Sequence, residues 1–97
     1  MTYTELIDRP GVMLVEFFAT WCPHCQRMAP IVEQIRELLD GKAAVVQLDI
    51  DKNKESSEEA RVESLPTFII YENGKEMWRQ AGEMDGEMLL NKVQSYL

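Results

Sequence analysis

"FFATWCPHCQRMAP", residues 17–30, contains both cysteines of this 97-residue chain, Cys22 and Cys25, three positions apart. The segment joins an apolar run to a stretch whose apolar residues recur at helical spacing. Two cysteines in this arrangement are half of a metal site, an inert staple or a reversible redox pair. The rest of the sequence has to distinguish among these three possibilities.

The composition is that of one small globular domain, and we expect residues 1–97 to form it. The chain is 45% hydrophobic, which is enough for one core that folds without disulfides or metal. Structural cysteines are therefore not required. The formal net charge of −7, without a basic stripe, argues against nucleic acid or an anionic membrane surface as a partner.

The N-terminal stretch MTYTELIDRP (1–10) has neither the basic region nor the apolar region of a signal peptide. No apolar run is long enough for a transmembrane helix. The expected location is therefore the reducing cytoplasm, where a CxxC pair is more often catalytic or metal-binding than structural.

The spacing of apolar residues predicts helices and strands in the order α-β-α-β-α-β-β-α. This order indicates an α/β fold with three layers, in which a mixed four-stranded sheet lies between helices. The predicted elements are a short helix at 4–8, a strand at 12–18, a helix from Pro23 to about Asp40 with Gly41 as its C-cap, a strand at 43–50, a short surface helix within 51–63, a hairpin at 67–82 that turns at Asn73-Gly74, and a last helix capped by Asp85 with Leu89, Val93, Tyr96 and Leu97 on one face.

This arrangement makes Cys22 the N-cap of a helix whose first residue is Pro23, at the carboxyl end of a central strand. A sulfur there can accept the unpaired helix amides and lies at the positive end of the helix dipole, so its pKa should fall below about 8.5. Cys22 is thus the expected nucleophile. Cys25, one turn further and more buried, is suited to attack the mixed disulfide.

The segment at 17–30, with Trp21 before the first cysteine and Pro30 after the second, resembles the active-site segment of thioredoxins. The stretches "SLPTF" (64–68), "ENGK" (72–75) and "AG" (81–82) follow in the order that thioredoxins show. The resemblance covers residues 12–97 and implies the thioredoxin fold. Because Met1 falls near the first helix, it also implies that the first edge strand of that fold is missing or shortened.

The resemblance implies a substrate-binding surface around the cysteines. Pro66 matches the cis-proline of the family, which leaves the backbone of Leu65 free to pair with an extended substrate; Thr67 follows in the same motif. Trp21 matches an exposed ring beside the site, although tryptophan is ordinarily a core residue. Gly82 resembles the small residue that lets substrate approach closely, although a plain turn glycine explains it nearly as well.

Glu16 lies within the apolar run "VMLVEFF" (12–18). It is either the one solvated position of the strand or a buried carboxylate with a raised pKa. Thioredoxins carry an Asp at this position, beneath the second cysteine, so the resemblance implies that Glu16 is the general base for Cys25, acting through water. Many thioredoxins also have a buried Lys where this chain has Gln47, so we expect no cation near Glu16.

Pro23 and His24, between the cysteines, differ from the Gly-Pro pair of typical thioredoxins and resemble the pair of the periplasmic disulfide oxidase. A histidine beside the thiolate adds a donor and, when protonated, a charge, and so makes the couple more oxidising. We expect a midpoint potential between about −270 mV, typical of thioredoxin, and about −120 mV, typical of that oxidase. Alternatively, His24 is an ordinary solvated side chain.

The sequence therefore predicts a thiol-disulfide oxidoreductase that acts on protein disulfides, needs no cofactor beyond its own redox-active disulfide, binds no metal and is monomeric. The resemblance implies recycling by a partner like thioredoxin reductase. Two alternatives remain open. A zinc or iron-sulfur site needs about four ligands, whereas Cys22, Cys25 and His24 offer at most three. A non-catalytic thioredoxin-like binding module would use the same cleft without needing both thiols.

Overall fold

The computed structural model describes residues 1–97, which form four helices and four strands in the predicted order. The α/β architecture predicted from the sequence is therefore confirmed. The elements are α1 (Tyr3–Ile7), β1 (Val12–Phe18), α2 (Pro23–Leu38), β2 (Ala44–Asp49), α3 (Lys54–Glu59), β3 (Thr67–Glu72), β4 (Lys75–Ala81) and α4 (Gly86–Gln94).

The four strands form one mixed sheet in the order β2-β1-β3-β4. β1 and β2 are parallel and are joined through α2, whereas β3 is antiparallel to both β1 and β4. With these directions, β1, β2 and β4 all terminate at the end of the sheet where β3 begins. The loops that follow residues 18, 49 and 81 therefore lie at the same end of the sheet as the loop that precedes residue 67.

Helices cover both faces of the sheet and bury a core on each. On one face, α2 and α4 pack their apolar sides against alternate residues of the strands. On the other face, α1 and α3 cover a second cluster, in which the hydroxyl groups of Tyr3 and Tyr71 lie 2.7 Å apart. β1 is covered on both sides, so only its last residue, Phe18, is partly exposed.

Two features of the turns and caps agree with the sequence. Asn73 and Gly74 both have positive φ, at 52° and 83°, as a tight hairpin turn requires. The Asp85 side chain caps α4 by accepting from the Met88 amide. None of the four helices is both long enough and apolar enough to cross a bilayer.

Two helix ends differ from the prediction. α2 ends at Leu38 rather than at about Asp40, because the chain already turns back at Leu39, whose carbonyl accepts from the Lys42 amide. α4 ends at Gln94, so Leu97 lies beyond the helix and is 55% exposed instead of lying on its buried face.

Candidate active site

Cys22 is the N-cap of α2, and Pro23 is the first residue of that helix, as predicted. The Cys22 sulfur makes no cap hydrogen bond of standard geometry, so the expected directional cap is absent; sulfur is a weak acceptor. Burial raises the pKa of the Cys22 thiol, but the amides of Cys25 and His24, the Cys25 side chain and the positive charge of Arg27 outweigh it. The pKa of Cys22 is therefore lowered.

Cys25 lies beside Cys22 in a small buried cluster with Ala19, and both cysteines are free thiols. Both thiols are almost inaccessible, with exposed fractions of 4% for Cys25 and 5% for Cys22. Burial prevails only in the pKa of Cys25, which agrees with the expectation that Cys25 is the more deeply buried thiol. Burial raises the pKa of Cys25 to about 12, and the Cys22 sulfur and the Glu16 charge act in the same direction.

Glu16 is 1% exposed, so it is a buried carboxylate and not the solvated position of its strand. Burial raises its pKa, while a hydrogen bond from Gln47 and the charge of Arg36 oppose the rise. Gln47 Nε2 donates to Glu16 Oε1 at 2.9 Å, and Arg36 Nη2 donates to Gln47 Oε1 at 2.6 Å. The expectation that no cation lies near Glu16 is therefore wrong, because α2 places Arg36 against β2.

The imidazole of His24 turns to Glu83 rather than to the Cys22 sulfur. His24 Nδ1 lies 2.6 Å from Glu83 Oε1, and since a carboxylate only accepts, Nδ1 carries the proton in this contact. Arg27 Nη2 lies 2.9 Å from the same nitrogen, which is then proximity and not a hydrogen bond. Of His24, the backbone amide and not the ring acts on Cys22.

A groove of about 360 Å³ lies beside Cys22, lined by Trp21 and Leu65 among others. Trp21 is 62% exposed, and its indole N–H donates to Asp51 Oδ2 at 2.8 Å. The peptide bond between Leu65 and Pro66 is cis, the isomer that the resemblance implies. Neither backbone group of Leu65 makes an internal hydrogen bond.

Thr67 and Gly82 lie at the end of the sheet next to this groove, at the start of β3 and just after β4. Thr67 is buried, and its hydroxyl donates to the Ser64 carbonyl at 2.6 Å, so it braces the loop and does not reach solvent. The Gly82 amide donates to the Pro66 carbonyl at 2.7 Å. Gly82 has a φ of +94°, which favours glycine. The site residues predicted from the sequence thus lie together around the two cysteines, but the His24 ring turns away from Cys22 toward Glu83.

A larger cavity, about 510 Å³, lies away from the thiols between α1, α3 and the hairpin. Most of its polar groups are engaged within the fold: Arg79 with Glu76, and Tyr3 with Tyr71. The chemistry of the cysteines therefore belongs to the smaller groove.

Four polar residues at or near the site were not found from the sequence: Arg27, Arg36, Asp51 and Glu83. Asp51 and Glu83 could have been predicted from the sequence, because each follows a strand that terminates at the end of the sheet where Cys22 lies. Arg27 and Arg36 could not, because their roles depend on which side of α2 faces Glu83 and Gln47.

Residues 1–95 match the family model described as Thioredoxin. The chain belongs to the thioredoxin family. It is 37% identical to a chloroplastic thioredoxin Y of Oryza sativa over 99% of this chain and 58% of that longer protein. It is 30% identical to a thioredoxin of Chlorobaculum thiosulfatiphilum over 97% of this chain and 87% of that protein.

Solved thioredoxins have the same fold. A mutant thioredoxin from Halobacterium salinarum superposes with a TM-score of 0.86 at 30% identity, covering 96% of this chain and 80% of that one. A Fasciola hepatica thioredoxin gives 0.85 at 28% identity, covering 96% and 89%. The predicted thioredoxin fold, with its four-stranded mixed sheet, is confirmed.

Family membership and the adjacent thiols also confirm the predicted class of activity, a thiol-disulfide oxidoreductase. Thioredoxins act through their own cysteine pair and use no separate cofactor. In this chain, no group of three or more His, Cys, Asp or Glu side chains converges in a way that could hold a metal ion.

Proposed function

We propose that the chain reduces or exchanges disulfide bonds of protein substrates through a reversible Cys22/Cys25 dithiol-disulfide couple. The observation that carries this proposal is the pair of adjacent free thiols at the N-terminus of α2. In this setting the pKa of Cys22 is lowered, whereas that of Cys25 is raised to about 12. At neutral pH the pair thus offers one nucleophile and one reserve thiol.

In the first step, the Cys22 thiolate attacks one sulfur of a substrate disulfide. The substrate S–S bond breaks, a mixed disulfide to Cys22 forms, and the other substrate sulfur leaves as a thiolate that takes a proton from solvent. The lowered pKa of Cys22 favours this step because the thiolate, not the thiol, is the nucleophile.

In the second step, Cys25 loses its proton and attacks the Cys22 sulfur. The mixed disulfide breaks, the substrate leaves with its second thiol, and a Cys22–Cys25 disulfide forms, so that two electrons have passed to the substrate. We assign the proton to Glu16, as the general base for Cys25. Its burial and its electrostatic effect on Cys25 support this role.

The groove beside Cys22 is our proposed substrate site. The unpaired backbone groups of Leu65 suit pairing with an extended peptide, with Trp21 as an exposed apolar wall. Pro66, Thr67 and Gly82 shape this backbone. The fully extended substrate would then bring its disulfide to Cys22.

We further propose that residues 1–97 act as one monomeric domain in the cytoplasm, and that a thioredoxin-reductase-like protein returns the disulfide to the dithiol. The bacterial thioredoxins among the relatives favour the reductase. The presence of a CxxC pair as the chain's two cysteines, an arrangement typical of redox proteins in reducing compartments, supports the cytoplasm. Electron transport from that reductase to substrate is the resulting role.

The test is the midpoint potential of the couple, measured by equilibration with glutathione buffers and read through fluorescence. A reversible two-electron transition is expected; none would overturn the proposal. In parallel, C25S should trap a mixed disulfide with a protein substrate, whereas C22S should not, as mass spectrometry would show.

A non-catalytic binding module is the competing function, favoured only by the apolar groove itself. The C22S/C25S double variant separates the two. If this double variant kept the physiological activity of the unsubstituted chain, binding and not disulfide exchange would be the function.

A further inference from the structure

The carboxylate of Glu83 joins two basic side chains on the first turns of α2. Its Oε1 accepts from Arg27 Nε at 2.8 Å, lies within salt-bridge distance of Arg27 Nη2, and lies 2.6 Å from His24 Nδ1. All three side chains are partly exposed, Glu83 at 35% and the other two at nearly 60%. They form a charged cluster, His24-Arg27-Glu83, beside the redox pair.

The backbone fixes this cluster against the site. Glu83 directly follows Gly82, whose amide is bonded to the carbonyl of Pro66. His24 and Arg27 lie in α2, two and five residues beyond Cys22, which is the N-cap of that helix. The cluster is thus held both by the loop that contains Pro66 and by α2, whose N-terminus carries the thiols.

The charge of Arg27 reaches Cys22, since it is among the causes that lower the pKa of this thiol. A cation near a thiolate stabilises the reduced form of the couple, and a carboxylate bound to that cation weakens the effect. Hydrogen bonds from Arg27 and His24 in turn lower the pKa of Glu83, which keeps it negatively charged at neutral pH.

We propose that Glu83 is a positioning residue of the redox centre: by binding Arg27, it limits the positive charge that this side chain presents to Cys22 and keeps the couple less oxidising, and by binding the His24 ring it holds that ring away from the sulfur. This inference rests on the proposed exchange function.

The test compares E83Q with E87Q. Both variants lose one negative charge, but Glu87 is exposed and makes no hydrogen bond or ion pair. At low salt, E83Q should favour the reduced form by about threefold, a shift of about 14 mV to less negative potential. Its Cys22 pKa, followed by thiolate absorbance, should fall. E87Q should match the unsubstituted chain in both measurements.

A double-substitution cycle tests whether Glu83 acts by binding Arg27 or by the direct repulsion between its own charge and the Cys22 thiolate. In an R27Q background, the effect of E83Q should shrink to less than half, because the main cation is gone. An undiminished effect would overturn the inference and assign the effect to direct repulsion. The shift should also decline at about 1 M salt, where charges are screened within about 3 Å.

The inference and the proposed function fail differently. If the unsubstituted chain has no reversible couple, the function fails before any variant is compared. If it has one, and E83Q does not differ from E87Q in potential or thiol pKa, only the role of Glu83 is overturned. Thermal unfolding of each variant checks that the fold is retained.

Discussion

At the scale of single residues, the site depends on two acids with different surroundings. Glu16 is buried close enough to Cys25 for its charge to act on that thiol, with Gln47 as its direct partner and Arg36 behind Gln47. Glu83 lies at the surface between two bases. Burial raises the pKa of Glu16 whereas ion pairing lowers that of Glu83, which supports the roles that we propose for them: proton exchange for Glu16 and charge balance for Glu83.

Substitution of Glu16 should slow release of the mixed disulfide. E16Q keeps the size and hydrogen bonding of the side chain but cannot accept the Cys25 proton, so we expect resolution to slow about tenfold or more at neutral pH. The rate in the unsubstituted chain should rise with pH through the raised pKa of Glu16, and this inflection should vanish in E16Q. Stopped-flow measurement from about pH 4.3, the unfolded pKa of a Glu, up to about pH 9 checks both.

The control for this experiment is E37Q, which removes the same charge from an exposed position of α2. It should resolve the mixed disulfide at the rate of the unsubstituted chain. Equal rates for E16Q and E37Q over the whole pH range would exclude Glu16 as the base.

The burial of Glu16 was one of two possibilities that the sequence left open, because the apolar neighbours in "VMLVEFF" fit both a strand covered on two sides and a strand with one solvated position. The approach of Arg36 could not, because it depends on how α2 packs on β2, which no local pattern records. The partner of His24 is Glu83, 59 positions away, so the sequence around the cysteines contains no sign that the ring would turn from the sulfur.

At the scale of elements, α2 both positions the thiols and supplies core residues to the sheet. Ile35 is 3% exposed and belongs to the larger core cluster, whereas Leu38, at the end of the same helix, is 59% exposed. We expect I35A to lower the free energy of unfolding by about 2–5 kcal/mol. L38A, the matched control, should change it by no more than about 0.5 kcal/mol.

Urea unfolding of both variants, with the thiols reduced, provides the measurement. Equal losses for I35A and L38A would mean that α2 is not held to the sheet by its inner face. Because the helix positions Cys22, a loosely packed α2 in I35A should also lower the exchange rate.

Element types were predictable wherever a pattern was strong. β1 has the predicted bounds, 12–18, because a continuous apolar run leaves little choice of ends. The hairpin followed from Asn73-Gly74. The end of α2 was less predictable, because Leu39 and Gly41 are both compatible with helix termination, and the competing turn at Leu39 is stabilised only when the chain folds back toward β2.

At the scale of the whole molecule, the buried carboxylate links stability to pH. The pKa of Glu16 is higher in the folded chain than in the unfolded one, so folding favours its protonated form. Its contribution is fully present below the unfolded pKa, about 4.3, and is lost as pH rises through the folded pKa.

E16Q should therefore be more stable than the unsubstituted chain at pH 8, and the difference should shrink toward pH 4.5. Urea unfolding at several pH values measures it. A difference between the two chains that stays constant with pH would contradict the raised pKa. E37Q again serves as the control, since its exposed carboxylate should give no such trend.

The hairpin turn at Asn73-Gly74 lies at the end of β3 opposite Pro66, about 20 Å away along the six extended residues of the strand. A chain divided at this turn would place Cys22, Cys25 and Pro66 on one fragment and Gly82 and Glu83 on the other. The two pieces would regain disulfide exchange only when β4 pairs again with β3. Pairing of the two fragments can therefore be followed directly by the disulfide-exchange activity that it restores.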